Sequence, residues 1–147
     1  MTETVNKLEQ LLFDGLEYIA QASEAELSYK VSAKKWSKKE ILGHLIDSGV
    51  NNLQRFTEIQ FNNKPYSIKK YNQNELVKIN NYQNSDTTAL AEFWKAINTR
   101  IIFIIKNQTE KTLHYKVKLE KDTITNLRFL IKDYVEHLEH HLKQIMA

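Results

Sequence analysis

Apolar residues recur at spacings of three and four in four long stretches of the chain, the pattern of amphipathic helices packed through one face. Over about 4–22 the stripe is Val5, Leu8, Leu12, Leu16 and Ile19, widened by Leu11 and Ala20. A second stretch, about 37–61, carries Ile41, Leu42, Leu45, Ile46, Leu53 and Phe56. It opens on Ser37-Lys38-Lys39-Glu40, a capping box in which the serine accepts from the backbone N–H three residues on and the glutamate reaches back. The third, about 86–106, has Leu90, Trp94, Ile97, Ile101 and Ile104, with Asp86 suited to its N-cap. The fourth starts at Asp122 or Thr123, runs to about 146, and turns Leu127, Leu130, Ile131, Tyr134, Leu138 and Ile145 inward.

The connections differ in character. Residues 23–36 link the first two helices. Residues 62–85 are polar and rich in asparagine, with Pro65, Tyr66, Tyr71 and Tyr82, and a short helix is expected near 76–79. A link of this length often carries binding functions, and here it is expected to drape over one end of the helices. Residues 112–119 alternate like a strand but are too short and isolated to imply a sheet. The pattern therefore predicts an all-α fold, a four-helix bundle with long crossover connections, as a single domain over 1–147. Three glycines and one proline agree with long helices. Gly43 and Gly49 fall inside the second helix, where each costs about 1 kcal/mol relative to alanine. Close approach by another element, such as the helix bearing His137 and His141, would explain them.

Composition narrows the chemistry. Without cysteine, disulfides and thiolate metal sites are excluded, and any metal must be held by nitrogen and oxygen. The net charge of +3 is mild, and a lysine cluster at 30–39 lacks the interleaved arginines and aromatics of a nucleic-acid groove. No apolar run approaches the ~20 residues of a membrane span, and Met1-Thr2-Glu3 does not read as a signal peptide. A cytoplasmic protein without nucleic-acid or membrane partners is expected.

Three of the five histidines fall in the last helix. His137 and His141 are four residues apart, so a helix stacks their imidazoles on one face. Burial within an apolar stripe would leave both rings short of hydrogen-bond partners, which a metal supplies. Histidines near a helix C-terminus also complement the macrodipole, a structural alternative. His44, beside Leu45, is the candidate third ligand, whereas His140 is rotated about 100° away from His141. Three nitrogens on one side of a cation leave the other side open, the catalytic pattern, and suit zinc, nickel, copper or iron(II). Asp47, Asp133 and Glu136 are candidates to accept an outer imidazole N–H. Leu138 after the first histidine argues against a zincin, and no glutamate stands three residues before any of these four histidines, as a ferritin-like di-iron site requires.

Lys35-Trp36-Ser37-Lys38-Lys39-Glu40-Ile41-Leu42-Gly43-His44-Leu45-Ile46-Asp47-Ser48 resembles the second-helix signature of the DinB/YfiT-like superfamily, and His137-Leu138-Glu139-His140-His141-Leu142-Lys143-Gln144-Ile145 resembles its C-terminal signature. The resemblance implies helices in up-down-down-up order and a divalent metal ion, often nickel or zinc. By position, the ligands it implies are His44, His137 and His141, with His140 a neighbour. It also implies a homodimer and a small-molecule substrate. The activity would be that of a thiol S-transferase using bacillithiol or mycothiol, or of a small-molecule hydrolase, with a non-catalytic binding module for metal or ligand as the alternative. No catalytic residue is implied. Relatives commonly carry an aspartate near 71–74, where this chain has Tyr71-Asn72-Gln73-Asn74.

Overall fold

The computed structural model spans residues 1–147 and contains four long helices: α1 (Thr2–Gln21), α3 (Lys38–Glu58), α5 (Thr87–Lys106) and α7 (Leu127–Met146). Three short helices lie between them: α2 (Glu24–Ser28), α4 (Gln73–Ile79) and α6 (Glu110–Leu113). Ser37 and Glu40 form the capping box at the head of α3, and Asp86 caps α5.

Side-chain pairings fix the directions of the long helices. Gly15 of α1 meets Trp94 of α5, while Glu9 pairs with Lys106, so these two run antiparallel. α3 and α5 run parallel: Lys39 near the start of α3 donates to the Ser85 carbonyl, and Gln60 at its end donates to Gln108. α7 opposes α3, with Tyr134 beside Gly49, His137 beside His44, and Lys38 donating to the Ala147 carbonyl. It runs with α1, since Lys7 pairs with Glu139 and Gly15 meets Leu142. The order is up-down-down-up, with α1 and α3 on one diagonal and α5 and α7 on the other.

One continuous core fills the bundle, in which Leu8, Ile46, Trp94, Ile101 and Leu142 are fully buried. Each such side chain contributes roughly 1.5–3 kcal/mol. No helix is long and apolar enough to cross a membrane.

Two parallel helices in succession require a return along the full bundle, ~30 Å for helices of this length. That explains the long link after α3, which runs back along the flank of α3 instead of covering one end. Arg55 holds it through the Lys69 carbonyl, and Asp47 through Asn80 and Tyr82. The link also contributes a strand, β1 (Tyr66–Ser67), which pairs in parallel with β2 (Lys116–Lys118); β2 pairs antiparallel with β3 (Ile124–Asn126). The alternation at 112–119 is thus part α6 and part a three-stranded sheet, which the sequence reading did not expect. It gains its partner from a segment about fifty residues away. The sheet also sets the start of α7: residues 124–126 are held in β3, so the helix begins at Leu127, capped by Asn126, and not at Asp122 or Thr123.

Candidate metal centre

The facing flanks of α3 and α7 bring His44, His137 and His141 together. One ring nitrogen from each lies within 4.8 Å of the others. His44 is fully buried, whereas His137 and His141 are half-buried. Leu138, Leu142 and Ile145 take the inward face of α7, and the two histidines sit beside them on the side toward α3. His140 is exposed, its ring centroid 5.0 Å from that of His141.

The Nε2 atoms of His44 and His137 approach to 3.1 Å. Both Nδ1 atoms are buried without a partner. Burial, then the neighbouring His141 and His137, push the His44 imidazole from its ordinary 6.5 to about 4. Burial, then His141 and His140, likewise push His137 to about 4. Burial lowers His141 as well, against the opposing hydrogen bond of Gln144. At neutral pH the cluster is therefore uncharged and offers lone pairs. A separation of 3.1 Å suits two nitrogens of a tetrahedron with bonds of ~2.0–2.1 Å. The donor set fits a divalent cation.

The surroundings orient the rings. Gln144 Oε1 lies 2.9 Å from His141 Nδ1 and accepts a hydrogen bond from its N–H, which leaves Nε2 with a lone pair toward the cluster. Trp36 packs on His44 with ring centroids 5.0 Å apart. Asp47 accepts from the Tyr82 hydroxyl at 2.6 Å and from Asn80 at 3.4 Å, and hydrogen-bonds no imidazole; its Oδ2 is buried and free. Burial raises its pKa. Asp133 and Glu136 lie exposed on α7.

Gln144 and Trp36 escaped the sequence reading. Trp36 precedes the capping-box serine and Ile41 follows at the fourth helical position, the spacing of a hydrophobic staple, so its placement was recoverable. Tyr82 had no such signal, although Gly43 marked the approach: an added Cβ would meet the Tyr82 ring, not α7. At Gly49 the neighbour is Ile97 of α5, with the Tyr134 hydroxyl behind it.

Residues 8–145 match the DinB superfamily. A protein of Halalkalibacterium halodurans, named for an inferred metal-dependent hydrolase activity, is 24% identical over 122 residues, covering 83% of this chain and 70% of that protein. Among solved structures, YfiT from Bacillus subtilis, described as an inferred metal-dependent hydrolase with an unusual four-helix bundle topology, superposes with a TM-score of 0.88 at 16% identity. That match covers 99% of this chain and 83% of YfiT. The mycothiol-dependent maleylpyruvate isomerase superposes with a TM-score of 0.75 at 11% identity, over 99% of this chain but 60% of the isomerase. At these identities the structural likeness is one of fold.

Proposed function

Because the chain belongs to the DinB superfamily, we propose that it is a metal-dependent enzyme in which His44, His137 and His141 hold one divalent cation, nickel or zinc, for work on a small molecule. The observation that carries this reading is the convergence of three imidazole nitrogens within 4.8 Å of one another, with the Nε2 atoms of His44 and His137 only 3.1 Å apart. A cation would take the facing lone pairs of these uncharged rings together.

When bound, the cation supplies Lewis acidity that brings the pKa of a water or thiol nucleophile toward neutrality. The chain supplies the rest. Three histidine ligands would leave the remaining coordination positions of the cation to water or substrate. Gln144 fixes the tautomer of His141. Trp36 shields His44 from solvent. The nucleophile would be a low-molecular-weight thiol in S-transfer, in keeping with the mycothiol dependence of the isomerase, or water in hydrolysis, in keeping with the hydrolase names. The same reading has the protein act as a homodimer, for which the exposed Phe13 beside Leu12 and Leu16 on α1 offers an apolar surface.

Elemental analysis of the purified protein should find near-stoichiometric metal, absent from His44→Ala and His141→Ala; metal retained in both would refute the site. Turnover of electrophiles with bacillithiol, mycothiol or glutathione, and of an ester and amide panel, should be abolished by chelator. Metal binding with no turnover across both panels would make the protein a binding module instead. Sedimentation velocity tests the dimer.

A further inference from the structure

α3 continues its functional face beyond His44. At ~3.6 residues per turn, Asn51 and Arg55 lie within about 20° of His44 around the axis, roughly 10 and 16 Å further along it. Both open into a cavity of about 720 Å³ between the C-terminal half of α3 and the link over 62–70. Its lining is mainly polar, Pro65 and the Tyr66 ring apart, with side-chain amides from both walls. An apolar ligand would gain little there; a polar one would find donors and acceptors.

The charges in the cavity do not balance locally. Glu58 already accepts from Gln54 at 2.8 Å and from the Tyr66 hydroxyl at 2.7 Å. Lys70 is paired with Glu120 at 2.7 Å. Arg55 is half-buried and closely positioned: Nη2 donates to the Lys69 carbonyl at 2.6 Å, Nη1 reaches Asn52 at 3.5 Å, and the Tyr71 ring lies 5.5 Å from its guanidinium carbon. These contacts fix the guanidinium plane, yet none is with a carboxylate. A fixed, partly desolvated guanidinium with N–H groups unspent is the arrangement that recognises a planar or tetrahedral oxyanion.

We propose that this cavity is an oxyanion subsite in which Arg55, backed by Lys69, takes the carboxylate or phosphate group of a small polar molecule whose uncharged polar atoms meet the cavity amides. The subsite lies on the same side of α3 as His44, two to three helical turns further along. In its reach toward the histidines the proposal rests on the metal reading above. The substrate would carry its acidic group roughly 16 Å from the histidine cluster, the rise from His44 to Arg55. Anion capture itself does not depend on the metal.

The test is an NMR titration of the full-length, isotope-labelled protein with L-malate and, separately, with inorganic phosphate, each with and without chelator. The expected result is a perturbation of the Arg55 Nε–H and of the Asn51 and Gln54 side-chain amides that persists in chelator, with affinity about tenfold weaker in Arg55→Gln and unrestored by Arg55→Lys, which lacks the planar fork. Preference between the two probes distinguishes a carboxylate from a phosphate ligand. Lys69 is exposed, so Lys69→Gln keeps the question open to measurement if Arg55→Gln fails to fold, and it should weaken binding several-fold. Anion binding that disappears in chelator would belong to the metal and overturn the proposal. So would the absence of perturbation with both probes, or equal affinity in the variants. Metal content, measured in parallel, reports on the histidine site separately.

Discussion

At Gly43 an added Cβ would overlap the ring of Tyr82, whose hydroxyl is tied to Asp47. Gly43→Ala should therefore force the ring outward. Overpacking of this kind costs about 1–3 kcal/mol, against about 1 kcal/mol that alanine returns in a helix interior. Net destabilisation is expected, read as a lower thermal midpoint by circular dichroism. An unchanged or raised midpoint would mean that Tyr82 moves freely. Gln144→Leu should keep the fold, since the side chain is exposed, and weaken metal affinity about 10–100-fold by releasing the His141 tautomer; a competition titration with a chromophoric chelator measures it. At this scale the sequence was legible where spacing carries geometry. The i, i+4 histidines and their distance from Leu138 follow from the helical repeat alone. It was silent where a partner arrives from a distant loop, as Tyr82 does at Asp47.

The elements were legible in proportion to their local signals. The capping box of α3 and the Asp86 cap of α5 are both present as the sequence suggests. Ser37→Ala should cost about 1 kcal/mol through loss of the cap, with some addition from its 2.5 Å hydrogen bond to Gln83. Denaturant unfolding would show this as a lower midpoint at unchanged slope. The three-stranded sheet was not legible, because strands of two and three residues have no period to detect. Val117, fully buried in the central strand, shows what the sheet adds to the core. It also takes the residues that local propensity would have given to the start of α7.

Protonation is a property of the whole molecule. His44 and His137 titrate near 4 in the fold and near 6.5 when free of it, so between these values the unfolded chain holds more protons. Stability of the metal-free protein then falls as pH drops from about 6.5 toward 4, and this contribution is constant at higher pH. Asp47 acts with the opposite sign, because burial raises its pKa. Thermal midpoints across this range should drop with acidification, and the drop should shrink when both histidines are replaced by glutamine; an equal drop in that variant would assign it to other groups. The up-down-down-up arrangement was implied by resemblance, not by periodicity, since hydrophobic stripes identify faces without giving directions.

The parallel placement of α3 and α5 has a consequence for diversification. The cation ligands sit on rigid rods, whereas one wall of the neighbouring cavity belongs to a strap that closes the circuit between those rods and adds few side chains to the interior. Such a strap can be exchanged in bulk with little disturbance of the scaffold. A chimera that replaces residues 62–72 with the equivalent stretch of a relative, while leaving Tyr82 in place, should retain its metal and inherit the donor's ligand preference.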